Sequence, residues 1–368
     1  MKKRLLALLV AMVFVAGVFT GCAAPKAAGT DASTDAKASA NTGESTKAEQ
    51  KFAIILGTGG LGDQSFNDLT YEGMKKAESE LGITFDYVEP KEVADYETQQ
   101  RAMADANKYG LIVCVGFDQV DALTKVAADY PDQKFAIIDS VVDAPNVVSY
   151  VSEEQEGSFL VGAMAGLMKK EMKDAKLSGK NVTGVVGALD IPLIRKFIAG
   201  YMAGVKYVNP DMEVVFDYVG DFSDPTTAKE IALNMNQKGA DIIYHAAGGS
   251  GLGVFEAAKQ GNFMAIGVNS NQNSIAPDNI FASMLKRVDV AAFESVKSVV
   301  DGTFQGGVKS LGLVQEGVGY SVEGSNIKVP EDIIQQVEAL KQKIVKGELK
   351  VPVDVPEVET FLKENAGK

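Results

Sequence analysis

The chain has 368 residues, 23% of them charged, with a formal net charge of −13, two cysteines, one histidine and no tryptophan. An acidic surface argues against nucleic acid and anionic substrates as partners. One histidine and two cysteines supply neither a metal-ligand cluster nor a disulfide framework, so no metal and no cofactor are expected, and the missing indole speaks against a pyranose site.

Residues 1–21 read MKKRLLALLVAMVFVAGVFTG. Three basic residues precede an apolar run of about fifteen, the pattern of an export signal, too short and wrongly flanked for a membrane span. Losing Lys2, Lys3 and Arg4 with this signal takes the mature chain to −16. Thr20-Gly21-Cys22 resembles the end of a bacterial lipobox, with Phe19 where leucine is usual, so Cys22 is expected to be acylated and to become the mature N-terminus. Residues 22–50 are nearly all small or polar. They cannot offset ordering entropy by burial and are expected to form a flexible, lipid-anchored tether. Cys114, in the run LIVCVG, reads as a buried core thiol.

The globular part begins near Lys51 and is long enough for two cores. FAIIL, ITFDYV, LIVCVG and KFAIID form a first series of short apolar runs, and NVTGVVG, EVVFDYV, DIIYHA and MAIGV a second. Stretches of helical period, such as FNDLTYEGMKKAESELG, IRKFIAGYMAGVKYV and TAKEIALNMNQKG, lie between them. This alternation predicts an α/β protein of two doubly wound parallel-sheet domains joined by several crossings. The first lobe is expected over 51–151 and about 281–322, the second over about 152–280 and 323–368, with a C-terminal helix at 331–345. Ligands of such sheets bind beyond the carboxyl ends of the strands. Polar and glycine-rich clusters follow those ends: GTGGLGDQSFN, GFDQ and DS in the first series, GALDIP, GDFSD, HAAGGSG and GVNSNQ in the second.

Gly57, Gly59 and Gly62 have the spacing of a dinucleotide-binding turn after a strand, and Glu89 ends the second strand where a ribose acid would stand. Asp63 opposes that reading, because it supplies negative charge where a pyrophosphate would sit. Read as a nucleotide phosphate loop, the same stretch has Asp63 in place of the lysine. The turn instead presents Asp63, Ser65, Phe66 and Asn67, groups suited to a neutral, planar ligand.

GDQSFN, GALDIPLIRKFIAGYMAG, HAAGGSGLGV, AIGVNSNQ and SMLKRVD, in this order over 51–320, resemble the basic membrane protein family of bacterial substrate-binding lipoproteins, whose best-understood members bind purine nucleosides. The resemblance implies a type I periplasmic-binding fold on the extracytoplasmic face of the membrane, delivery of a purine nucleoside to an ABC permease, and no catalysis. It implies that Phe66 and Phe197 stack on the base, and that Asp63, Ser65 and Asn67 hydrogen-bond near it. Asp118, Gly248 and Lys286 would reach the ribose or its neighbours. Where the family pattern reads V-D-S-D-Q, this chain has Val268, Asn269, Ser270, Asn271 and Gln272, with amides for both carboxylates. Weakened selection for ribose is the expected consequence.

Each of these residues also has a plainer reading. Phe66 and Phe197 fit the core stripes of amphipathic helices. Asp63 and Asp118 can cap the helices that follow them. Lys286 can pair with Asp289, and His245 can be a satisfied core histidine. Three rival functions accompany the nucleoside receptor: a riboflavin or other small neutral-ligand receptor on the same fold, a surface receptor that signals without transport, and an exported NAD-dependent oxidoreductase, for which no catalytic set follows the glycine turn.

Overall fold

The structure, a computed structural model, describes residues 51–366 except 172, 173 and 175. The signal, Cys22 and the tether lie outside the described residues. Among the described residues, no helix is long and apolar enough to cross a membrane.

The first half builds β1 (Lys51–Ile55), α1 (Phe66–Leu81), β2 (Thr84–Val88), α2 (Asp95–Asp105), β3 (Tyr109–Val115), α3 (Val120–Asp129), β4 (Phe135–Ile138) and β5 (Val147–Ser152). The chain continues through α4 (Glu154–Glu171), β6 (Val182–Gly187), α5 (Pro192–Val208), β7 (Glu213–Tyr218), α6 (Pro225–Lys238), β8 (Ala240–Ala246), α7 (Leu252–Gly261), β9 (Met264–Asn269) and β10 (Ile280–Lys286). It ends with α8 (Val288–Val300), β11 (Gly307–Leu311), β12 (Val318–Ser321), α9 (Glu331–Val345) and α10 (Val358–Glu364).

Two six-stranded sheets result, in the orders β11-β5-β4-β3-β1-β2 and β12-β10-β9-β8-β6-β7. Every pairing is parallel except β10 with β12. Helices cover both faces of each sheet, so central strands are apolar throughout: all of β8 is buried, and so are the last five residues of β3. The edge strands β2 and β7 carry the exposed and half-exposed positions.

The chain passes between lobes three times, from β5 to α4, from β10 to α8, and from β11 to β12. Helices α4 and α8 each pack in the lobe opposite to the strand before them, against α5 and α1 respectively. A Cβ at Gly73 in α1 would lie 2.3 Å from the Asp289 carbonyl of α8, and one at Gly200 in α5 2.2 Å from the Gln155 carbonyl of α4. Glycine is needed at both points for the helix backbones to touch.

Two boundaries differ from expectation. The return segment 281–322 divides between the lobes, because β10 pairs beside β9 and β12 beside β10 in the second sheet. Only 288–311, carrying α8 and β11, belongs to the first lobe. Reading the buried strand IFASMLK together with the helix after it moved the crossing one element too early.

Candidate functional site

A cavity of about 280 Å³ lies between the carboxyl ends of the two sheets, lined by residues of both lobes. Asp63, Phe66, Asn67, Asp118, Phe197, Gly248, Asn269 and Lys286 all line it. Ser65 and Asn271 do not.

The turn 57–65 is held by its own side chains. Asp63 accepts from the backbone N–H groups of Ser65 (2.9 Å), Asn67 (2.8 Å) and Asp68 (3.2 Å), so its carboxylate occupies the N-terminus of α1. Asp68 accepts from Gly62 N–H (2.7 Å) and Gln64 N–H (2.9 Å). Glu89 accepts from Leu61 N–H at 2.9 Å and so braces the turn from β2. A pyrophosphate would meet two carboxylates at this helix terminus, which is the physical objection to a dinucleotide there. Asn67 accepts from Gly57 N–H through its Oδ1 (2.8 Å), which leaves its amide nitrogen as the group it can offer a ligand.

Phe66 comes from α1 of the first lobe and Phe197 from α5 of the second, each also packed on its own lobe's core. Lys286 Nζ lies 5.4 Å from the Phe66 ring centroid and 5.5 Å from that of Phe197, so one ring from each lobe flanks the same point. Lys286, at the end of β10, pairs with Asp139 (2.5 Å) and Glu154 (2.9 Å) rather than with Asp289, which Arg287 engages instead. Lys196 joins Glu154 at 3.2 Å. Two cations thus balance two carboxylates. Burial presses the Lys286 ammonium down, but Asp139 and Glu154 more than offset it and hold its pKa above the ordinary lysine value. Burial raises Asp139, against the pull of Lys286.

Asp118 accepts from Tyr96 OH at 2.8 Å, and Tyr96 in turn accepts from Thr58 N–H at 3.0 Å. Burial raises the Asp118 carboxyl, with the tyrosine hydroxyl working against it. Burial also raises Asp63, opposed by its three backbone donors.

Opposite the glycine turn, the second lobe supplies a clasp. Ser65 is buried and turned away from the cavity: its Oγ accepts from Asn269 Nδ2 at 2.8 Å. Gln64 O accepts from Ser270 Oγ and from Gln272 Nε2, both at 3.0 Å. Gln272 is fixed in turn, its Oε1 accepting from Val268 N–H (2.8 Å) and facing His245 Nε2 at 3.0 Å. His245 is buried and its pKa is pushed down to about 4 by desolvation, so the neutral ring donates to the amide. Asn271 is exposed and ties its loop to the segment after β12, donating to Glu323 O at 3.2 Å and accepting from Asn273 N–H at 3.1 Å. The backbone turns at Asn269, whose φ of 67° is left-handed, and this carries the residues after it away from the cavity. Ser65 and Asn271, expected at the ligand, therefore stand off the cavity wall.

The two lobes are reciprocal here. Asp139 follows β4 and Asn269 ends β9, equivalent strands of the two sheets, and both have left-handed backbones, φ 72° and 67°. Each crosses to the other lobe, Asp139 to Lys286 and Asn269 to Ser65.

Sequence reasoning also missed Thr58, Phe117, Asp139, Phe222 and Ser223 on the cavity wall. All five lie in the strand-end clusters GTGG, GFDQ, DS and GDFSD, so their position was signalled although their orientation was not. Among the described residues, no group of histidine, cysteine, aspartate and glutamate side chains could hold a metal.

Two doubly wound lobes, three crossings and a cavity at the facing strand ends define a solute-binding protein of the type I periplasmic-binding class. The chain belongs to the Bmp family, described as ABC transporter substrate-binding protein PnrA-like, whose pattern matches residues 51–354. It is 34% identical over 372 residues to an uncharacterized lipoprotein of Pyrococcus abyssi, covering 94% of this chain and 87% of that protein. It is 28% identical to the ABC transporter nucleoside-binding protein BmpA of Lactococcus lactis, covering 96% and 99%. The crystal structure of an ABC transporter solute-binding protein from Aeropyrum pernix superposes with a TM-score of 0.77 at 34% identity, covering 86% of this chain and 97% of that one.

Proposed function

We propose that this substrate-binding protein is a lipid-anchored extracytoplasmic receptor that encloses a purine nucleoside and presents it to an ABC permease. The observation that carries the reading is the pair Phe66 and Phe197, one from each lobe, flanking a common point in a largely apolar cavity whose polar lining includes the carboxylates of Asp63, Asp118 and Asp139. A planar base between them gains burial on both faces. The cavity's ammonium is already balanced by two carboxylates, while Asp118, which Tyr96 engages through one oxygen, remains for a donor. A neutral ligand bearing N–H and O–H groups suits that field, and a phosphate does not. The volume of about 280 Å³ is at the small end of ligand pockets and suits a nucleoside better than a flavin. The Lactococcus lactis relative's name points the same way. Cys22 would carry the anchor, with residues 22–50 as its tether.

Mass spectrometry of small molecules extracted from the purified protein, followed by calorimetry with guanosine, inosine, adenosine, their 2′-deoxy forms and riboflavin, tests the ligand. Binding of a flavin with no purine nucleoside bound would overturn the assignment and leave the receptor fold standing. Cys22→Ser should release the protein from membranes or leave its signal uncleaved; a correctly processed mutant that stays membrane-bound would refute the anchor.

A further inference from the structure

Phe117, just after β3 in the first lobe, and Phe222, just after β7 in the second, meet across the cleft with ring centroids 6.2 Å apart and planes tilted by 51°. Both are half-buried and both line the cavity. Phe222 follows the sheet edge farthest from the strands that lead into the crossings. Lobes that turn about those crossings separate most at that edge. The same rim is close-packed beside the rings: a Cβ at Gly59 would sit 3.4 Å from Ser223 Oγ, and one at Gly248 3.2 Å from the Phe222 ring. Phe66 and Phe197, by contrast, flank Lys286, beside Asp139 and Glu154 at the crossing side.

We infer that Phe117 and Phe222 form an aromatic gate across the mouth of the cleft, distinct from the rings that flank Lys286. The gate exists only when the lobes are together, because each lobe supplies one leaf. It fixes the length of ligand that can be enclosed, and it has to part before the ligand leaves. Its signature is therefore kinetic: removing a leaf speeds release more than it slows capture. The ligand used to time it rests on the nucleoside reading above, whereas the gate itself is a contact between protein groups and can be probed without any ligand.

Two measurements test it together. In stopped-flow displacement of guanosine, Phe117→Ala and Phe222→Ala should each raise the dissociation rate about tenfold, the rate equivalent of one lost aromatic contact, with association within about twofold of wild type. Phe222→Leu, which keeps bulk in the mouth, should fall between and guards against a folding defect. The second measurement exploits the absence of tryptophan. Phe197→Trp puts the sole indole inside the cavity, and acrylamide should quench it about twofold more effectively when Phe222→Ala is added, with no ligand present. Unchanged release and unchanged quenching overturn the gate and leave the nucleoside reading intact. If wild type binds no purine nucleoside yet quenching rises, the ligand reading fails and the gate stands. If no nucleoside binds and quenching is unchanged, both fail.

Discussion

Lys286→Met keeps the length of a side chain that is 2% exposed but removes its charge, leaving Asp139 and Glu154, at 6% and 1% exposure, beside an apolar group. Glu154 retains Lys196 at 3.2 Å, whereas Asp139 loses the ammonium that lay 2.5 Å away. Breaking a buried pair from one side costs about 3–5 kcal/mol, because the surviving charge is desolvated without compensation. Over a chain of this size that lowers Tm by roughly 5–8 °C. The deficit depends on pH with a defined sign. Asp139 already has a folded-state pKa above the ordinary carboxylate value, and losing Lys286 removes the main influence holding it down. The native mutant therefore binds more protons than its unfolded chain as pH falls, so stability is regained on acidification and lost as pH rises through the raised pKa. Asp139→Asn added to Lys286→Met should restore most of the loss at neutral pH. Urea unfolding of wild type, single and double mutants at pH 5 and pH 7.5 checks the argument. A single mutant within 1 kcal/mol of wild type at pH 7.5, or a deficit that grows on acidification, would refute it.

Phe66→Ala and Phe197→Ala should each weaken nucleoside binding by about 2–4 kcal/mol, as truncation of a desolvated anchor does, and calorimetry reads the loss directly. Ser270→Ala removes one clasp bond to Gln64 without touching the cavity; it should cost about 0.5–1.5 kcal/mol of apparent affinity through a smaller closed population, visible as a larger ligand-free radius of gyration in small-angle scattering. Asn271→Asp should leave affinity and sugar selectivity unchanged in the same calorimetric panel, since Asn271 is exposed, off the cavity wall and bonded to the segment after β12, whereas Asn269→Asp, on the cavity wall, should alter both. His245 has a folded-state pKa of about 4 against 6.5 unfolded, so it contributes stability at neutral pH that is lost as pH falls from 6.5 toward 4, on the order of 3 kcal/mol in all. Replacing it by asparagine should flatten that part of the stability profile in denaturant titrations.

Much of the architecture was legible because it rests on local periodicity. Buried parallel strands such as LIVCVG and DIIYHA read as uninterrupted apolar runs, and the clusters after them marked the ligand end of each sheet. The crossings were harder, since IFASMLK has the same composition whichever sheet it joins and only its pairing with β9 decides. Side-chain direction was harder still. Ser65 and Phe66 are neighbours, yet one serves the clasp and the other the cavity. Asn269 and Asn271 stand alike in the sequence, but a left-handed φ at Asn269 separates their fates. Asp139 gave no local sign of its role, because its partner Lys286 is 147 positions away in the chain.

The reciprocal reach of Asp139 and Asn269 has a mechanical consequence. One contact between two bodies joined by a flexible connection leaves them free to swivel about it. Two contacts from opposite sides, set at the same level of each sheet, fix the torsion of one lobe against the other as well as the angle between them. The closed receptor is thus held in a single orientation, and the surface that both lobes offer jointly to a third body has one shape. Cutting the Asp139–Lys286 contact, which has no second bond beside it as Asn269 has in Ser270 and Gln272, would therefore blur the twist of the closed form before it opened the cleft.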